Sequence, residues 1–88
     1  MANIIDQEEF IFDGCAYIAR LYRPDGKSSI YGEIVYKDNG KRPHGKMRGI
    51  ARAYLRPYGI HIPMEASRMV THCAVRKLIE TIRAHKKA

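Results

Sequence analysis

Two kinds of hydrophobic pattern divide this chain. From Cys15 to Arg23 the residues Tyr17, Ile18, Leu21 and Tyr22, and from Ser29 to Lys37 the residues Ile30, Tyr31, Ile34, Val35 and Tyr36, form runs rich in β-branched and aromatic types. Such residues fit a pleated, half-buried surface. Between the runs lies Arg23-Pro24-Asp25-Gly26-Lys27, where proline presets one turn dihedral and glycine accepts a positive one, so the two runs are expected to pair as a β-hairpin. Phe10-Ile11-Phe12, ended by Asp13-Gly14, reads as a third short strand or as an acidic N-terminal turn. In the second hairpin strand Ile30, Gly32, Ile34 and Tyr36 share one face, and Tyr31, Glu33, Val35 and Lys37 the other. Neither face is purely polar, which suggests one side on the core and the other keeping aromatic surface for a further strand or a ligand. Asp38-Asn39-Gly40 ends the sheet.

The second half changes period. After the loop-like Lys41-Arg42-Pro43-His44-Gly45, the residues Met47, Ile50, Ala51, Tyr54 and Leu55 recur at helical spacing. Pro57 stops that helix between Tyr54 and Arg56, because a residue before proline avoids helical angles, and Tyr58-Gly59 makes the turn. Pro63 suits the first position of a last helix. There Ala66, Met69, Val70, Cys73 and Ala74 form one apolar stripe, and Val75, Leu78, Ile79 and Ile82 a second, offset around the axis. A helix buried on several sides, or bent near Ala74, accounts for both stripes. So does a helix whose first stripe packs on the sheet while Val75, Leu78, Ile79 and Ile82 form a homodimer seam. The expected fold is therefore α+β: an antiparallel hairpin or three-stranded sheet from the N-terminal half, packed against two C-terminal helices.

Charge sharpens the division. The first 38 residues hold seven acids and four bases, whereas the remaining 50 hold twelve bases against Glu65 and Glu80, and together they give the net charge of +7. Eighty-eight residues suit one domain spanning 1–88, with an acidic segment at 1–13 and a frayed basic tail at 83–88. The composition, 45% hydrophobic and 28% charged, is that of a folding chain rather than a disordered one. No apolar run approaches the roughly twenty residues that span a bilayer, and the start lacks a secretory pattern, so a cytoplasmic protein without a membrane role is expected. Cys15 and Cys73 belong to no paired motif and are expected to be reduced, mostly buried thiols.

Candidate chemistry is confined to the basic half. Arg48, Arg52 and Arg56 fall four apart beside the first helix's apolar stripe, and Lys41, Arg42 and Lys46 precede them with no acid between Asp38 and Glu65. A glycine-containing loop entering a helix offers free backbone donors and the positive end of the dipole to a phosphate. Arg68, His72, Arg76 and Arg83 form another basic strip on the last helix. The tyrosines Tyr17, Tyr22, Tyr31, Tyr36, Tyr54 and Tyr58 are of the type that stacks on bases, although Tyr54 lies on an apolar stripe and most of the others suit core or rim. His44, His61, His72 and His85 are scattered, and His72 and Cys73 are expected on different helix faces, so no metal site, cofactor or enzymatic centre is expected.

Two functions suit this pattern. One is a small nucleic-acid-binding domain, for DNA or RNA, that contacts phosphates through Lys41, Arg42, Lys46, Arg48, Arg52, Arg56, Arg68 and Arg76. The other is a non-enzymatic inhibitor or adaptor, of the kind phages and mobile elements encode, docking the same face on an acidic protein such as a nucleic-acid-processing complex. An apolar stripe exposed beside the arginines would favour the second, and a polar basic surface the first.

Overall fold

A computed structural model describes residues 3–43, 45–62 and 72–86. The chain forms three strands, β1 (Asn3–Phe12), β2 (Cys15–Arg23) and β3 (Tyr31–Tyr36), followed by helices α1 (Met47–Leu55) and α2 (His72–Lys86). The strands make one antiparallel sheet in the order β1-β2-β3. This is the α+β arrangement that the change of hydrophobic period anticipates.

Asp13 and Gly14 both take positive φ, 53° and 78°, as a two-residue hairpin turn between β1 and β2 requires. The N-terminal strand is longer than the Phe10–Phe12 fragment expected from sequence, and it carries the acids Asp6, Glu8 and Glu9 of the N-terminal segment. Ile5 is an extra residue between the Ile4–Tyr22 and Asp6–Leu21 pairs, a bulge that reverses which residues face the helices. From that point Asp6, Glu8 and Phe10 share the helix side of the sheet with Ala19 and Tyr17, to which Glu8 and Phe10 are paired.

One hydrophobic cluster joins sheet and helices: Phe10, Tyr17, Ala19, Leu21 and Ile34 meet Ile50, Ala51 and Leu55 of α1 and Ala74, Val75, Leu78, Ile79 and Ile82 of α2. The homodimer seam expected through Val75, Leu78, Ile79 and Ile82 is therefore corrected, because these side chains are at most 2% exposed and pack within the chain. At about 100° per residue, the buried positions of α2 from Ala74 to Ile82 form a single wide arc. Of the other expected stripe, Ala74 is buried at the arc's margin and Cys73 is exposed, while Ala66, Met69 and Val70 lie outside the described residues, as does the expected start at Pro63. Thr81, buried within the arc, donates its hydroxyl to the Lys77 carbonyl at 2.8 Å, so its polarity is satisfied.

The approach of α2 is closest at Gly32. A methyl group built there would lie 2.7 Å from Val75 Cγ2 and 3.1 Å from the His72 backbone. Glycine in β3 is thus a packing requirement. Gly32→Ala should destabilise the fold by about 1–3 kcal/mol through overpacking. Val75→Ala in the same chain should recover part of that loss, giving a non-additive pair in urea titrations.

Candidate functional site

Helix α1 begins after a tight turn in which Lys46 N–H donates to the Pro43 carbonyl at 2.9 Å and Gly45 takes φ 73°. Its first internal bond runs from Ile50 N–H to the Lys46 carbonyl, and neither a capping side chain nor an acid stands in its first turn. Ile50, Ala51 and Leu55 anchor it to the core, which fixes the direction of the arginines. Arg48, Arg52 and Arg56 advance about 40° from one to the next, a narrow band on one side of the helix. Arg48 and Arg52 are half-buried, whereas Lys46 and Arg56 are exposed. Pro57 ends the α-helix at Leu55 and a 3-10 turn, Arg56–Tyr58, closes on Gly59 with φ 78°.

The other expected contacts are placed elsewhere. Arg42 lies against the sheet face opposite the helices, where its Nε donates to Glu33 Oε2 at 3.0 Å and its Nη2 to the Tyr22 hydroxyl at 3.0 Å. The Glu33 carboxylate raises its pKa further above the ordinary guanidinium value. Lys41 is exposed beside it, and Arg76 is exposed on α2. Arg68 lies outside the described residues. The structure therefore gathers Lys46, Arg48, Arg52 and Arg56 on α1 and separates Arg42 and Arg76 from them.

The carboxylates explain the separation. On the sheet face away from the helices, Glu33 holds Arg42 at 2.9 Å and Arg20 at 3.7 Å. Glu9 holds Lys37 at 3.0 Å. On the helix side, Arg83 bridges Asp6 at 2.7 Å and Glu8 at 2.8 Å, and Lys86 reaches Glu8 at 3.3 Å. The basic end of α2 is thus helical through Lys86 and fastened to the N-terminal acids, not the frayed tail its composition suggests. Among the described residues, Lys46, Arg52 and Arg56 have no carboxylate within ion-pairing distance. Arg52 is the sharpest case: its Nε and Nη2 are withdrawn from solvent and bonded to no protein acceptor.

A second feature escapes the sequence reading. Six rings follow one another across the molecule, Tyr36 to Tyr17 to Phe10 to Tyr54 to Tyr58 to His85, with centroid separations from 4.1 to 5.8 Å. The last members line a groove of about 460 Å³ in which Phe10 and Ile82 are buried, Tyr54 is half-buried, and Tyr58, His85, Lys37 and Lys86 are exposed. Burial, and then the neighbouring Tyr58 hydroxyl, push the Tyr54 phenol up from its ordinary value. His85 Nδ1 lies 2.8 Å from the Thr81 carbonyl and donates its proton there, which leaves Nε2 as the ring's other polar atom. The legible signal was the spacing of Tyr54 and Tyr58, four residues apart across Pro57; His85 carried none, because its neighbours read as tail.

Both cysteines are exposed and free, which corrects the expectation of buried thiols: Cys15 opens a strand at the hairpin turn and Cys73 lies outside the buried arc of α2. Nor do His72 and Cys73 diverge, since Sγ and Nε2 stand 3.5 Å apart. No helix among the described residues is long and apolar enough to cross a membrane. Comparison with protein-family models, characterised proteins and solved structures finds no match to the chain.

The Arg83 cluster has a measurable pH signature. Hydrogen bonds from Arg83, more than any other cause, hold the Asp6 and Glu8 carboxyls below their ordinary values of 3.8 and 4.5. The unfolded chain then binds more protons than the folded one in acid, so this stabilisation is complete above about pH 4.5 and is lost as pH falls through the lowered folded values. Thermal melting followed by circular dichroism should show a midpoint that is flat down to about pH 5 and falls below it. Arg83→Gln should lower the midpoint near neutrality and make the acid limb shallower.

Proposed function

We propose that this protein is a non-enzymatic nucleic-acid-binding domain that grips the phosphate backbone with α1 and the turn entering it. The observation that carries this reading is the allocation of charge. Asp6, Glu8, Glu9 and Glu33 are engaged by Arg20, Lys37, Arg42, Arg83 and Lys86, while the acid-free segment between Asp38 and Glu65 sets Lys46, Arg52 and Arg56 in and beside α1 with no ion-pairing carboxylate among the described residues. Bases set close together without interspersed acids form a concentrated positive field, whereas a face that serves only solubility mixes both signs.

The half-buried Arg52 adds to this. A guanidinium remains charged at any physiological pH, and one with two nitrogens withdrawn from water gains more from an incoming anion than a fully hydrated one does. The start of α1 has no side-chain cap and no acid in its first turn, so Lys46 stands beside the positive end of the helix dipole. A protein-docking role for this face draws less support from the surface. Among the described residues the large exposed hydrophobics are Ile4, Ile5 and Ile11 on β1, Tyr31 on β3 and Tyr58 in the turn after α1.

Binding to duplex or single-stranded probes should weaken linearly in the logarithm of salt, as displaced counterions require. Lys46→Glu combined with Arg56→Glu changes two exposed side chains and should leave the melting temperature close to that of the parent. The pair should reduce affinity about tenfold or more, similarly for unrelated sequences, and flatten the salt slope by about 2. Fluorescence anisotropy across an ionic-strength series checks both effects; an unchanged slope in the double variant excludes α1 as the phosphate contact.

A further inference from the structure

We infer that the groove lined by Tyr58 and His85 takes an unpaired nucleobase, so that the protein prefers single-stranded to duplex nucleic acid. The inference rests on the reading of the protein as a nucleic-acid binder and adds the form of its substrate. Four observations converge on it. Tyr58 is 42% exposed although its ring already stands 4.1 Å from that of His85 and 5.8 Å from that of Tyr54, so an aromatic surface is held open to solvent by packed neighbours. Exposed faces of this type stack on bases of any identity. His85 is oriented by its bond to the Thr81 carbonyl, which makes Nε2 of the neutral ring an acceptor for a base amino group.

The rim carries two lysines and one carboxylate, Glu9. Lys37 and Lys86 line the groove, with side chains about half exposed and tied to Glu9 and Glu8 by surface pairs. Such pairs are worth little and yield readily to a phosphate. Continuity with the basic helix supplies the last argument. Arg56 and Tyr58 belong to one 3-10 turn, at most about 7 Å apart along the backbone, so a strand with a base beside Tyr58 passes near the exposed Arg56. In a duplex the same base is stacked between its neighbours and paired across the helix, and its face is closed to Tyr58. An aliphatic peptide would gain from the apolar lining but would use neither the oriented imidazole nor the cationic rim.

The test compares single-stranded DNA, single-stranded RNA and duplex DNA of one mixed sequence, binding to the full chain at low salt by anisotropy. The wild type should bind a single strand more tightly than the duplex, and the DNA and RNA arms show whether the sugar matters. Tyr58→Ala should weaken single-strand binding about 5-fold to 100-fold while changing duplex affinity less than about twofold, the range expected for the loss of one stacked base. Tyr58→Phe keeps the ring and should restore binding, and His85→Ala gives an independent removal of the second ring should Tyr58→Ala melt early. Quenching of tyrosine emission by single strands is expected as well, and is undisturbed by tryptophan because the chain contains none. If Tyr58→Ala and His85→Ala both bind single strands as the wild type does, while Lys46→Glu with Arg56→Glu does not, the groove proposal is overturned and the α1 reading stands. Single-strand binding lost with Tyr58→Ala but kept by the charge-reversed pair supports the groove and overturns α1; a wild type that binds no probe overturns both.

Discussion

Every functional feature described above depends on how closely α2 can lie on the sheet. Gly32 and Ala19 leave room for Val75 and its neighbours, and the helix settles until Val75, Leu78, Ile79 and Ile82 are shut off from water. Burying an aliphatic side chain is worth roughly 1.5–3 kcal/mol, so four of them outweigh any surface ion pair in fixing where the helix lies. Once it is seated, its C-terminal turns have little choice of surroundings. Arg83 arrives over Asp6 and Glu8, and His85 arrives against Tyr58. Packing decides the position; the ion pairs then hold the last two turns against fraying.

The same seating arranges the electrostatics. A bulge at Ile5 turns Asp6 and Glu8 toward the helix side, where they meet the bases at the end of α2 and not those on α1. On the far face Glu33 does the same for Arg20 and Arg42. The molecule extends 37 × 29 × 24 Å, several times the roughly 8–10 Å over which salt screens a charge, so neutralisation in one region does little to the field in another. The net charge of +7 is therefore a poor description of the surface. Among the described residues, the paired charges gather on the sheet and the end of α2, and Lys46, Arg52 and Arg56 stand apart from them.

Elements were legible in the sequence because each is written in local terms. Tyr17, Ala19 and Leu21 alternate inward along β2, Ile50, Ala51 and Leu55 recur at helical spacing, and Pro57 stops α1 where a proline should. The arginine band on α1 was legible for the same reason. Long-range partners were not. That Glu33 would hold Arg42, and Asp6 and Glu8 would hold Arg83, depends on strand register and on a one-residue bulge, neither of which has a composition. The choice between a helix buried on several sides and a homodimer seam stayed open in the sequence because it turns on how wide a surface the sheet and α1 together present to α2. The groove failed to show for a related reason: Phe10, Tyr54, Tyr58 and His85 come from three separate parts of the chain.

Arg20 and Arg52 make a controlled comparison within one molecule. Each has a buried Nε without a hydrogen-bond partner, but Arg20 has the Glu33 carboxylate 3.7 Å from its Nη1, whereas Arg52 adds a second orphaned nitrogen and has no ion-pairing acid among the described residues. A polar group withdrawn from water without a partner costs on the order of 1–3 kcal/mol, more when it is charged, and an arginine cannot escape by losing its proton. At Arg20 the fold supplies the compensation itself. At Arg52 none of the described carboxylates does so. A helix whose central cation is held in that state, flanked by the exposed Lys46 and Arg56, favours an anion that brings several charges at regular intervals over one that brings a single charge. A phosphate backbone has that form.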